Sequence, residues 1–144
     1  MGHNRADPPP PAYHNFLHVC DVTHSVYRMI SLVDPILTFT TIERLGLMVA
    51  ALGHDLGHPG INNAFLVNTR DSLATVYNDI SVLENSHVSK MYEMMALDES
   101  RNIFKNLPDN KTWFDVRKLI IDMILHTDMS GHFSMVSKLE VFLE

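Results

Sequence analysis

From residue 13 onward, apolar positions recur every three or four residues, the period of an amphipathic helix. Phe16, Val19, Val22, Val26, Met29 and Ile30 form the first stripe. Asp34-Pro35 ends it, because proline lacks an amide donor and disfavours helical geometry in the residue before it. Thr40-Thr41-Ile42-Glu43 reads as a capping box that opens a second helix. That helix runs through Leu45, Leu47, Met48, Val49 and Leu52 and is apolar on nearly every side, which predicts a central position. Gly57 and Pro59-Gly60 stop it. Short helices are predicted over 62–68 and 71–77. Ser81-Val82-Leu83-Glu84 has the form of a second capping box and starts a helix reaching to about Leu97, and 102–106 predicts a turn of helix before Pro108. A stripe over 112–127 turns Trp113, Val116, Leu119, Ile120, Met123 and Ile124 inward, and a last helix fills 129–143. No segment alternates as a strand does, so the predicted fold class is all-α, a multi-helix bundle with short connections.

Residues 1–12, MGHNRADPPPPA, hold four consecutive prolines that favour an extended strand, and they read as a leader before one folded unit at 13–144. The last helix meets Glu144 without a cap or a glycine, the pattern of a chain that continues in something longer. A composition of 46% hydrophobic and 19% charged residues excludes wholesale disorder. The longest apolar run, Leu47–Leu52, falls far short of the ~18 residues a membrane span needs. A net charge of −6 without a basic stripe argues against nucleic acid as partner, while a metal could still bring a small phosphate ligand to an acidic chain. A lone Cys20 points to a reducing, cytoplasmic setting.

Nine histidines change the picture, since imidazole is the commonest metal ligand and proton-transfer group. In Tyr13-His14-Asn15-Phe16-Leu17-His18, two histidines four apart at a helix start can share one face; two solvated histidines are the plain alternative. In His54-Asp55-Leu56-Gly57-His58-Pro59-Gly60, an ionisable pair closes an apolar helix, where charge is costly unless paired or metal-bound. Imidazole and carboxylate together suit zinc, manganese or iron, and mutual pairing of His54 and Asp55 is the alternative. Tyr77-Asn78-Asp79, Glu84-Asn85 with His87, and His126-Thr127-Asp128 are further polar clusters at helix ends, where Asp79 and Asp128 could equally act as caps. Asp21 and His24 read as surface or supporting residues, and His3 and His132 as solvated.

YHNFLH, GHDLGHPGINN, YNDISVLEN and HTDMSGHF, in this order and spacing, resemble the class I cyclic-nucleotide phosphodiesterases, and His54-Asp55-x-x-His58-x-x-x-x-Asn63 fits their HD-x2-H-x4-N signature. The resemblance runs from about Tyr13 to the end of the chain, and YHNF and YNDIS lean toward the type 9-like branch, which prefers cyclic GMP. It implies the all-helical catalytic domain of the HD phosphodiesterase type, here only its N-terminal part. It also implies two divalent metals, zinc plus magnesium or manganese, and hydrolysis of the 3′-phosphoester of cyclic AMP or cyclic GMP to the 5′-monophosphate. By resemblance His14 matches the general acid that protonates the leaving O3′. His18, His54 and Asp55 match zinc ligands, with Asp55 also bridging to the second metal. His58, Glu84 and Asp128 match the groups around that metal's waters, and Tyr13, Asn63, His87 and Met129 match pocket-lining or supporting positions. His24 and His126 depart from the residues common at their places.

Two other readings stay open on the sequence: another HD-type metal phosphohydrolase, or a silent product that binds a partner or a second copy through an unfinished bundle face. Three protein ligands where the family suggests four, and no gripping or stacking group for the base, predict that this chain alone is a poor catalyst or an inactive one.

Overall fold

The computed structural model describes residues 11–143, so the leader, apart from Pro11 and Ala12, and His3 lie outside the described residues. Among the described residues there are seven α-helices and no strand: α1 Phe16–Val33, α2 Thr41–Gly53, α3 Asn63–Asn68, α4 Ser72–Val76, α5 Val82–Leu97, α6 Asn110–Leu125 and α7 His132–Leu143. Single 3-10 turns cover Glu99–Arg101 and Met129–Gly131. None of these helices is long and apolar enough to cross a membrane.

Local chemistry sets most boundaries. Asn15 caps α1, its Oδ1 accepting from the Leu17 and His18 amides. At the start of α2 the capping box is present in both directions, Glu43 N–H to Thr40 Oγ1 and Thr40 N–H to Glu43 Oε2. Asp109 takes the Thr112 amide at 2.7 Å, which starts α6 at Asn110, two residues before the sequence pattern suggests.

The main core gathers Val49 and Ala50 of α2, Val88 and Met91 of α5, Phe104, and Val116, Ile120 and Ile124 of α6. Gly46 lets α2 and α6 approach: a Cβ there would stand 2.6 Å from Leu119 Cδ2. A smaller cluster of Leu66, Ala74, Val82 and Leu83 joins α3 and α4 to the start of α5. Ile120 is 0% exposed at the centre of the α2–α6 contact. Ile120→Val should lower unfolding stability by about 0.5–1.5 kcal/mol, read by denaturant titration, because one buried methylene leaves a void that the neighbours only partly fill.

Four expectations are corrected. The inward stripe of α6 is narrower than expected, with Met123 exposed. Phe16, 78% exposed, and Met29 point outward from α1, whose one buried side chain is Ile30. Residues 103–106 form hydrogen-bonded turns without helix, and the helical turn falls earlier, at Glu99–Arg101. Ser81 caps nothing with its side chain. Its backbone is left-handed, at φ 41°, and its hydroxyl donates instead to Asp128 Oδ2 at 2.8 Å, a long-range tie that offsets the strain. Among the described residues α7 packs on no other helix, and Phe133, Leu139 and Val141 stand exposed along it.

Candidate metal centre

The first turn of α1 and the end of α2 meet at three atoms. His18 Nε2 lies 3.2 Å from His54 Nε2. Asp55 Oδ2 lies 3.2 Å from each of those nitrogens. The His54 Nδ1–H donates to the Ala51 carbonyl at 2.9 Å, which leaves Nε2 facing its two neighbours. Two imidazole nitrogens and one carboxylate oxygen therefore converge on one point, where a proton on His54 Nε2 pairs with Asp55 and a metal ion can take that proton's place. The spacing suits one: a tetrahedral zinc bound at roughly 2.0–2.1 Å holds its donors about 3.3–3.4 Å apart. The donor set and its geometry thus fit the metal that the motif implies.

Charge inside the triangle is set by contact. Burial pushes the Asp55 carboxyl up, but the His54 hydrogen bond and the nearby His54, His14 and His58 charges outweigh it and bring it to about 2. Burial pulls His54 down, and its hydrogen bonds to Asp55 and Ala51 more than restore it, above the usual histidine value. Asp55 is thus ionised at neutral pH, as a ligand must be.

A second set, His14, Asp55 and His58, also brings three donor atoms within 4.8 Å of one another. Its His58 arm is engaged: the Gly60 N–H donates to His58 Nδ1 at 2.9 Å, so a neutral His58 carries its proton on Nε2 and offers the cleft a donor rather than a ligand lone pair. Positive φ at Gly57 and Gly60, 70° and 80°, lets the loop fold back to make that bond. His14 sits in the turn before α1, not on the helix as its spacing suggests, and still reaches the same cleft.

Opposite the triangle, the other helix ends are tied together. Asn63, the first residue of α3, accepts the Leu83 amide at Oδ1 and donates to Glu84 Oε2 at 2.9 Å, doing for α5 what Ser81 does not. Asp128 accepts from the Ser81 hydroxyl and from the Ser130 amide, so it is both a cap and a cross-tie; burial raises its carboxyl, and these bonds bring it below the usual range. The site residues that the resemblance marks — Tyr13, His14, His18, His54, Asp55, His58, Asn63, Glu84, His87, Asp128 and Met129 — line one cleft of about 1170 Å³, and His126 joins them. Asp79 does not line this cleft. Ser81 was missed as a supporting residue, because a serine read as a cap gives no sign of its distant partner.

His87 lies beneath this wall, 1% exposed, its Nδ1–H donating to the Leu56 carbonyl at 2.8 Å. Burial depresses it to about 4. In the unfolded chain it takes a proton below about pH 6.5, whereas in the fold it stays neutral down to about 4. Its contribution is therefore intact above pH 6.5 and drains as pH falls toward 4, by at most about 3 kcal/mol. His87→Gln, which cannot titrate, should flatten the fall in stability across that window in urea titrations at stepped pH.

The 3'5'-cyclic nucleotide phosphodiesterase family matches residues 13–144. The 3',5'-cyclic-AMP phosphodiesterase 4C of Mus musculus is 39% identical over 99% of this chain, and that of Rattus norvegicus 40% identical over 92%. Both carry the cyclic-AMP name, not the cyclic-GMP preference toward which YHNF and YNDIS lean. The chain spans 20% and 24% of the length of these two relatives. Crystal structures of the phosphodiesterase domain of a Salpingoeca rosetta rhodopsin phosphodiesterase, and of the same organism's RhoPDE fusion protein, superpose with a TM-score of 0.85 at 40% identity. Each superposition covers 91% of this chain, and 39% and 40% of the solved chains. Members of this family bind divalent metals, and the triangle of His18, His54 and Asp55 can hold one. A match over nearly the whole described chain, agreeing with solved folds at this identity, decides the matter: the chain belongs to the 3'5'-cyclic nucleotide phosphodiesterase family.

Proposed function

We propose that residues 13–144 are the metal-holding N-terminal part of a catalytic domain that hydrolyses the 3′-phosphoester of a 3′,5′-cyclic nucleotide to the 5′-monophosphate. The observation that carries this reading is the 3.2 Å triangle of His18, His54 and Asp55, with His14 on the same cleft wall. His18, His54 and Asp55 would hold zinc, and Asp55 would be shared with a second ion, magnesium or manganese. When bound, such ions polarise the phosphate and lower the pKa of water.

The protein's own part is proton handling and orientation. Water attacks phosphorus and gives up a proton to a carboxylate of the cleft, the P–O3′ bond breaks, and His14 gives the proton that O3′ needs to leave. Glu84 and Asp128 present carboxylate oxygens to the attacking water, and the Nε2–H of His58 is a donor on the same wall. Asn63 fixes Glu84, and Ser81 fixes Asp128. Tyr13, whose ring lies 4.7 Å from that of His18, and exposed Met129 flank the opening. The names of the two curated relatives support cyclic AMP as the first substrate to try. The single free Cys20 supports a reducing, cytoplasmic setting. The exposed apolar residues of α7 support self-association of this chain.

The test is to load the 144-residue chain with zinc and magnesium and measure bound metal, oligomeric state, and hydrolysis of cyclic AMP, cyclic GMP and a linear phosphodiester. Expected are bound zinc and a preference for cyclic over linear substrate. Turnover should fall below the ~1–10³ per second of ordinary enzymes, because three protein donors hold the ion in an open cleft. Failure to bind zinc, or a preference for the linear diester, would overturn the reading.

A further inference from the structure

Three imidazoles stack between the core and the cleft. The His14 and His58 rings lie parallel, 3.8 Å between centroids and 8° between planes. His58 in turn faces His87 at 5.5 Å and 24°. The innermost ring is fully buried and held by the Leu56 carbonyl. The middle ring is held by the Gly60 amide, and its loop is pinned to α5 by the Lys90 ammonium on the Gly57 carbonyl at 3.0 Å. The outer ring has no such anchor. Asn15 fixes the backbone around His14, through Ala12 on one side and Leu17 and His18 on the other, but among the described residues no hydrogen bond orients the His14 imidazole. Tyr13 and His18 meet it only edge-on.

We propose that His58 is a positioning residue: its anchored ring is the flat seat that sets the plane of His14 and so aims the proton donor. This rests on the reading of His14 as the group that protonates O3′. The order of anchoring supports it, since each ring is held more firmly than the one outside it. A side chain whose outer torsion is broad needs something to choose its plane, and a parallel ring at van der Waals distance does so without using either nitrogen. Face-to-face aromatic contact shifts such an orientational equilibrium by roughly two- to tenfold. An ångström of misplacement at a reacting group costs ~10²-fold in rate. His58 therefore acts on the proton donor and not on the metal triangle.

The test compares His58→Leu with His58→Phe in the zinc-loaded chain. Phenylalanine keeps the flat face and gives up the Gly60 hydrogen bond; leucine gives up both. The wild-type His14 ring protons should be shifted upfield by the ring current of His58, with cross-peaks between the two rings in NMR spectra. His58→Leu should abolish that shift and lower kcat roughly two- to tenfold further than His58→Phe does, with KM and zinc content little changed. His58→Phe should retain the shift and keep a higher kcat than His58→Leu, both variants having lost the Nε2–H donor. Identical behaviour of the two variants, loss of zinc in either, or a His14 ring that already averages freely in the wild type would overturn the proposal. A His14→Ala variant with undiminished turnover would instead sink the reading of His14 as proton donor, while the ring-current comparison would still report whether His58 seats it.

Discussion

Asp55→Asn should strip the site of zinc while leaving the fold in place. Asn keeps the shape of the side chain but brings a neutral amide to a point 3.2 Å from two imidazole nitrogens, where the wild type holds a carboxyl that stays ionised down to about pH 2. With that charge gone, a divalent ion meets two neutral nitrogens and one carbonyl. Losing a group that only supports a ligand typically costs 10–100-fold in metal affinity, so losing the single charged ligand should cost more than ~100-fold, or about 2.7 kcal/mol. Competition against a zinc-binding dye measures this directly, and circular dichroism checks that the helices persist. Zinc retained at wild-type affinity would mean that the triangle is an internally paired His-Asp cluster, as the sequence alone also allows.

His14→Ala should separate chemistry from metal binding. His14 lies outside the triangle, and the turn that carries it is held by Asn15, so its removal should leave zinc content unchanged. Loss of a general acid lowers turnover by ~10²–10⁴-fold, about 2.7–5.5 kcal/mol of barrier. Single-turnover hydrolysis of cyclic AMP, beside metal analysis of the same sample, gives both numbers. Because His14, Asp55 and His58 also cluster within 4.8 Å, a variant that lost metal together with activity would recast His14 as a ligand.

What the sequence made legible is what is local or periodic. The helices themselves, the Thr40–Glu43 box and the stop at the proline after α1 act through neighbours within a turn, and the structure carries them as read. Ser81 to Glu84 shows the limit of that logic. Its S-x-x-E pattern is that of a capping box, yet Ser81 bonds Asp128, 47 residues away, and Glu84 bonds Asn63, 21 residues away. A local pattern cannot reveal that a distant partner has outcompeted the local one. Phe16 and Met29 fit the helical period but lie outside the face that α2 covers. The cleft residues were legible because a recognised motif names them together. Their stacking was not, since it arises where the turn before α1 crosses the loop after α2.

The triangle also joins positions 36 residues apart in the chain, one at the start of α1 and one at the end of α2. The only buried side chain of α1, Ile30, lies toward its far end, so little apolar packing fastens the end that carries His18. A metal there acts as a cross-link. Bound only by the folded pair, it would add about 2.7 kcal/mol of stability by mass action when free ion stands at a hundred times its dissociation constant. The melting temperature of this helical pair thus becomes a gauge of free zinc, and chelation should loosen α1 from its N-terminal end before the α2–α6 core gives way.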